Sequence, residues 1–133
     1  MKKVIGVILI ALWIAAAFCL LILLDTVFAS EDIFGAYKVR CTCYLPTGNK
    51  TASGVYPYEG IIAADKSHLG QIAALYTEEG ALIGFFECKD TGGHSGLKDG
   101  SRIDVYRESR ESLNKWVKDY GDYVYIQWID GIG

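Results

Sequence analysis

The feature that most constrains this chain is an uninterrupted apolar run over residues 4–24, which contains no charged side chain. A helix needs about 20 apolar residues to cross a membrane, whereas the apolar part of a cleaved signal peptide is usually about 7–15 residues long. The length of the run therefore predicts a transmembrane anchor over residues 4–24, inside a first segment that comprises residues 1–30.

The flanks of this run predict on which side of the membrane the rest of the chain lies. Lys2 and Lys3 precede it, and the positive-inside rule then predicts a cytoplasmic N-terminus. The sequence Val-Phe-Ala at residues 27–29 leaves open the alternative of a signal peptide that is cleaved after Ala29. We expect a single-pass protein of the cell membrane with an extracytoplasmic domain, or a secreted domain if cleavage occurs.

Residues 31–133 form the second segment, which is long enough for one domain of ordinary size. The whole chain has a formal net charge of −3, and Lys2 and Lys3 lie outside this segment. A nucleic-acid partner is not expected, because contacts to phosphates need a basic surface.

The hydrophobic pattern of this segment is mostly that of short β-strands. A helix is predicted over residues 108–120, with Ser109 as its N-cap and Gly121 at its end. Residues 91–100 contain four glycines and are predicted as a loop. The fold class is therefore mainly β, a small closed barrel with one late helix. The predicted strands cover residues 36–44, 60–64, 71–77, 81–89, 101–106 and 123–129.

Three cysteines lie in the segment that we expect outside the cytoplasm, where disulfides persist. Cys41 and Cys43 are two residues apart on a predicted strand, so both point to one face. We expect Cys88 to pair with Cys41 or with Cys43, which leaves one thiol over. No CxxC or Cys/His pairing accompanies them, so neither a metal site nor another cofactor is expected.

Two aspartates stand at positions where a carboxyl group can take part in chemistry. Asp90 ends a predicted strand and precedes a glycine-rich turn, and Asp104 lies inside a strand between Ile103 and Val105. A strand aspartate of this kind either lines a groove, where it can act as a general acid, or anchors a hydrogen bond. The residue pattern alone leaves both interpretations open.

Several segments in order along the chain resemble the 3D domain family, which is named after three aspartates. The aspartates of this pattern are Asp65, Asp90 and Asp104. The resemblance extends over roughly residues 39–129. Its segments are residues 51–54 (TASG), 61–65 (IIAAD), 87–93 (ECKDTGG) and 100–106 (GSRIDVY). Residues 94–99 make the connection between the last two aspartates longer than is usual in the family.

The resemblance implies a six-stranded double-psi β-barrel, the fold of membrane-bound lytic transglycosylase A, of stationary-phase survival muralytic proteins and of expansins. It also implies metal-independent cleavage of the β-1,4 bond between N-acetylmuramic acid and N-acetylglucosamine in bacterial cell-wall remodelling. Asp104 is then expected to be the catalytic acid, with Asp90 beside it and Asp65 orienting the cleft. The expected substrate contacts are Tyr44, Thr51, Gly92 and His94, and Tyr56, Tyr58 and Trp128 are further candidates for stacking on sugars.

The expected partners are peptidoglycan glycan strands, the membrane through residues 4–24, and a secretion, conjugation or phage machine that needs a hole in the wall. Two non-enzymatic alternatives stay open, namely an expansin-like module that binds glycan without cleaving it and a structural accessory of such a machine. The geometry that separates these classes is whether Asp90 and Asp104 face one groove.

Overall fold

The computed structural model describes residues 2–29 and 35–129, with side chains described for residues 2–21 and 35–129. The chain divides into two compact units, Met1–Phe34 and Gly35–Gly133. Ser30, where a mature chain would begin after the predicted cleavage, and the predicted segment boundary at residues 30–31 lie outside the described residues.

The first unit contains the helix α1, Lys2–Ala29. The stretch Lys2–Leu21 of this helix is long and apolar enough to cross a membrane, and none of it is buried within the protein. A helix that is apolar on every side is stable in lipid and has no polar face to turn toward water. The predicted N-terminal apolar helix is therefore confirmed. A membrane anchor and a signal sequence would both contain such a helix.

The second unit is a closed barrel of six strands in the order β1-β5-β2-β4-β3-β6. The pairs β1/β5 and β2/β4 are parallel and the other four pairs are antiparallel. The predicted closed, mainly β barrel is therefore confirmed. The strands are β1 (Tyr37–Tyr44), β2 (Ile61–Ala64), β3 (Ile72–Tyr76), β4 (Leu82–Thr91), β5 (Arg102–Tyr106) and β6 (Tyr123–Ile129).

The barrel interior is filled by alternate residues of the strands, because successive side chains of a strand point to opposite faces. On β5, for example, Ile103 and Val105 are buried in the core while Asp104 between them points outward. The core consists of Val39, Cys41, Ile62, Ala64, Ala73, Leu75, Phe86, Cys88, Ile103, Val105, Trp116, Val124 and Ile126.

The late helix α3, Arg110–Tyr120, begins two residues after the predicted start at residue 108, with the predicted N-cap Ser109, and ends at the predicted residue. The Ser109 hydroxyl accepts a hydrogen bond from the Ser112 N–H at 3.1 Å, which satisfies one of the free donors at the helix start. Gly121 has φ +70°, a left-handed conformation that favours glycine, and ends the helix. Trp116 is the residue of α3 that joins the core.

The glycine-rich stretch holds a second, short helix that the sequence did not predict. This helix, α2 (Ser95–Lys98), lies in the segment expected to be a loop. It forms because His94 caps its first turn and Leu97, only 2% exposed, is buried beneath it. A 3₁₀ turn, Lys66–His68, also follows β2.

The structure holds Cys41, Cys43 and Cys88 as free thiols, so the expected disulfide is not formed in it. Cys41 and Cys88 belong to the core and Cys43 packs against it. Burial raises the pKa of Cys41 to about 12, and those of Cys43 and Cys88 to about 11. Thiols of this kind carry scarcely any thiolate at neutral pH and are therefore weak nucleophiles.

At about pH 8 we expect these three thiols to resist alkylation by iodoacetamide in the folded protein, because the thiolate is the reactive form. After unfolding without reductant, all three should react, and mass spectrometry counts the added groups. Cys19 in α1 is counted separately by peptide mapping. A chain in which only one of the three barrel thiols reacts after unfolding contains the disulfide, and that result would contradict the free thiols of the structure.

Candidate functional site

The barrel brings Asp90 and Asp104 to the two sides of one small residue. Ala63 on β2 stands opposite Asp104 of β5 and opposite Asp90 of β4. Residues that stand opposite each other on paired strands share a face of the sheet. With neighbouring strands about 4.8 Å apart, the two aspartate Cα atoms are separated by about 10 Å. Both carboxylates therefore belong to the same outer face of the barrel.

A β-bulge is the reason that Asp90 faces this way. Ile62 pairs with Cys88, but the next residue, Ala63, pairs with Asp90 rather than with Lys89. The extra residue in β4 is left without a partner and reverses the alternation beyond it. Without the bulge, Lys89 would stand beside Ala63 in place of the carboxylate.

Tyr44, the last residue of β1, reaches Asp90. Its hydroxyl donates a hydrogen bond to Asp90 Oδ2 at 3.3 Å. The pKa of Tyr44 is raised, chiefly by burial and then by the negative charge of Asp90, with a smaller contribution from Asp104. The Tyr44 hydroxyl therefore belongs to the surroundings of the Asp90 carboxylate.

Asp104 is held by an ion pair and a hydroxyl. Arg102, two residues earlier on β5, places its Nε 2.9 Å from Asp104 Oδ1, and the Thr42 hydroxyl also donates to this oxygen. The Asp104 side chain is 17% exposed, so it remains accessible from outside. Sequence reasoning missed Arg102 and Thr42. Strand alternation could have identified both residues. Side chains two residues apart on a strand point to the same face, so Arg102 lies on the face of Asp104 and Thr42 on the face of Tyr44.

Asp90 is held by the loop that carries the TASG segment. Its Oδ1 accepts hydrogen bonds from the backbone N–H groups of Ala52 at 3.1 Å and Thr91 at 2.9 Å. The Ser53 N–H donates to the Lys89 carbonyl at 3.1 Å, which fastens the same loop to β4. With the Tyr44 hydroxyl on its other oxygen, Asp90 has fixed donors on both sides.

Thr51 supports this loop from inside. It is 6% exposed, and its hydroxyl is enclosed without a hydrogen-bond partner among the described residues. Its backbone N–H donates to the Val55 carbonyl and its carbonyl accepts from Gly54, which makes the turn tight. In the structure the Thr51 side chain does not reach the surface where a substrate contact would form.

Asp65 does not join the hydrogen bonds of Asp90 and Asp104. Its carboxylate accepts from the Ser67 N–H at 3.1 Å and from the Ser67 hydroxyl, and so caps the 3₁₀ turn after β2. These bonds lower the pKa of Asp65. Asp65 instead lines a cavity of about 410 Å³ together with Lys66, Thr91, Gly92 and Lys98. The structure thus brings two of the three aspartates together.

The other two expected contact residues, Gly92 and His94, serve the connection between β4 and β5. The His94 Nδ1 accepts the Gly96 N–H at 3.0 Å and caps α2. A Cβ atom on Gly92 would lie 2.4 Å from Leu97 Cδ1, so the absence of a side chain lets α2 pack against the end of β4. Both residues are exposed, and Gly92 lines the cavity beside Asp65.

Of the candidates for stacking on sugars, Tyr56 and Tyr58 are exposed, at 64% and 43%. Both belong to the loop between β1 and β2, the same loop that binds Asp90. One face of Trp128 is already covered by His68, whose ring stacks on it at a centroid distance of 3.9 Å. Among the described residues no group of three or more His, Cys, Asp or Glu side chains is placed to hold a metal ion.

Comparisons with known proteins do not assign this chain to a family. Neither a protein-family model nor a curated protein matches the sequence. The function is therefore argued from the site itself. What the site offers is one accessible carboxylate, Asp104, bound by Arg102 and Thr42, and a second, Asp90, that is fixed on the same face of the barrel.

Proposed function

We propose that this protein is a peptidoglycan lytic transglycosylase in which Asp104 acts as both general acid and general base. The observation that carries the proposal is the placement of Asp90 and Asp104 on one outer face, on either side of Ala63, with the Tyr44 hydroxyl on Asp90. Of the function classes that the sequence left open, a structural accessory has no use for this arrangement, and an enzyme uses it with Asp104 as the reacting group.

We propose further that the barrel is a double-psi β-barrel of the 3D type. The closure of six strands through two parallel and four antiparallel pairs supports this description. The docking of Ala52 and Ser53 onto the Asp90 region supports it further, because this contact joins two of the segments that carry the resemblance.

The reaction needs one carboxyl group that gives a proton and takes one back. Asp104 donates its proton to the glycosidic oxygen while the bond from this oxygen to the muramoyl C1 breaks. The carboxylate then removes the proton of the muramoyl C6 hydroxyl, whose oxygen bonds to C1 and closes a 1,6-anhydro ring. No water is consumed, and Asp104 ends in the protonated form in which it began.

The neighbours of Asp104 have defined parts in this cycle. Between the two proton transfers its carboxylate is stabilised by the Arg102 guanidinium and the Thr42 hydroxyl. Asp90 binds the loop that also carries Tyr58, whose exposed ring suits stacking on a sugar face, and Tyr56, whose ring has the Lys50 ammonium 5.5 Å from its centroid.

The proposed location follows from the first unit. Lys2 and Lys3 precede an apolar helix of membrane-spanning length, which supports a cytoplasmic N-terminus and a barrel on the outer side of the membrane, where peptidoglycan lies. A membrane-tethered enzyme suits local opening of the wall for a secretion, conjugation or phage machine.

A glycan-binding module without cleavage is the second candidate function. The observation that favours it is that the carboxylate of Asp104 is already engaged by Arg102 and Thr42, while the ring of Tyr58 is exposed. On this reading the carboxylates would accept hydrogen bonds from sugar hydroxyls and would exchange no proton.

Digestion of purified peptidoglycan by the full chain in mild detergent separates the two candidates. We expect soluble products that end in 1,6-anhydromuramic acid, which mass spectrometry identifies by the loss of one water relative to hydrolysis products. Hydrolysed ends without the anhydro ring would contradict the transglycosylase mechanism. If no product is released and the protein cosediments with insoluble peptidoglycan, the binding module is correct.

A further inference from the structure

The cavity beside the aspartate site has a composition of its own. Its volume is about 410 Å³, within the range of about 300–1,000 Å³ that small-ligand sites usually have. Three of the five residues that line it carry a charge, and the other two are a threonine and a glycine. The five are Asp65, Lys66, Thr91, Gly92 and Lys98.

This cavity lies one residue beyond the carboxylate pair along β2 and β4. Thr91, which lines it, follows Asp90 in β4 and pairs with Ala64, the residue after Ala63. Asp65, which also lines it, follows Ala64. The cavity is therefore at the ends of the two strands on which Asp90 and Ala63 stand.

The charges of the cavity are two cations and one anion. Neither Lys66 nor Lys98 forms an ion pair with another residue that the structure describes. Asp65 is ionised at neutral pH, because its hydrogen bonds from Ser67 lower its pKa. Lys98 reaches this place because α2 is anchored by the buried Leu97.

We propose that this cavity binds the stem peptide of peptidoglycan, with its carboxylates on Lys66 and Lys98 and its free ammonium group facing Asp65. The inference rests on the proposed function, since it names the part of the same substrate that lies beside the scissile bond. A zwitterionic peptide matches all three charges, whereas a polyanion such as a glycerol phosphate chain would meet the carboxylate of Asp65 unpaired.

Binding of a soluble peptide tests the inference without any cleavage. The probe is a synthetic N-acetylated stem tetrapeptide that contains diaminopimelate, titrated against the full chain in detergent by calorimetry. We expect binding that weakens as salt is added, because the charges are exposed. The double variant K66M/K98M should bind about tenfold more weakly, and acetylation of the free amine of the peptide should also weaken binding.

The matched control is K115M/K118M, which removes the same number of charges from exposed positions of α3. It should bind the peptide like the unchanged protein. The inference is overturned if the unchanged protein does not bind the peptide, if both double variants bind equally, or if a glycerol phosphate polymer displaces the peptide.

The outcomes separate this inference from the proposed function. Peptide binding without release of anhydro products would remove the transglycosylase and leave the peptide site. Release of anhydro products without peptide binding would remove the peptide site alone.

Discussion

Replacement of Asp104 by Asn should abolish the release of anhydro products from peptidoglycan while the barrel remains folded. Asn has nearly the same shape and keeps an oxygen that can accept the hydrogen bonds of Arg102 and Thr42, but it cannot give and retake a proton. General acid–base catalysis contributes typically ~10²–10⁴-fold to a rate, so the loss should be plain. The rate is measured by mass spectrometry of released products, and circular dichroism reports the fold.

The matched control for this variant is Glu87→Gln. Glu87 is an exposed carboxylate on β4 whose partner is Lys89, so Glu87→Gln removes one negative charge from the strand that carries Asp90 and leaves Asp90 and Asp104 in place. It should keep the rate of the unchanged protein. Asp90→Asn should lose less activity than Asp104→Asn, since Asp90 holds the loop and transfers no proton. Full activity of Asp104→Asn would show that another group is the acid.

The largest expected effect on stability is that of Trp116→Ala. The indole is 4% exposed and packs edge-to-face against Phe86 and Tyr120, at centroid distances of 5.7 and 4.6 Å, with the Arg107 guanidinium over its ring. Truncation of a buried Trp to Ala costs about 3–5 kcal/mol, because it leaves a cavity as well as removing apolar contact. That is a large part of the ~5–15 kcal/mol by which domains are usually stable.

Urea unfolding of the full chain in detergent, followed by near-ultraviolet circular dichroism, measures this loss as a fall in the midpoint. The control is Val117→Ala, the next residue of the same helix, which is 45% exposed. Exposed substitutions usually change the free energy of unfolding by less than about 0.5 kcal/mol. Equal midpoints for the two variants would show that α3 is not anchored to the barrel through Trp116.

Much of the fold was predictable because the signals that determine it are local. The apolar run predicts α1, alternation predicts the individual strands, and Ser109 and Gly121 predict the ends of α3. Each of these features depends on side chains within a few residues of one another. The glycine-rich stretch was wrongly predicted as a loop throughout. Its helix α2 depends on the burial of Leu97, which the amino-acid composition of the stretch does not reveal.

The site was predictable only in part, because some of its geometry depends on contacts between residues that are distant in sequence. The sequence by itself determined which carboxylates could act, where the strands that carry them run, and that Asp104 points away from the core between Ile103 and Val105. Only the tertiary structure decided that Asp90 joins it, because the register shift opposite Ala63 depends on the pairing of two strands that are distant in sequence. Long-range contact also brought the Tyr44 hydroxyl to Asp90, whereas Asp65 is held by its local hydrogen bonds to Ser67 and lines the neighbouring cavity.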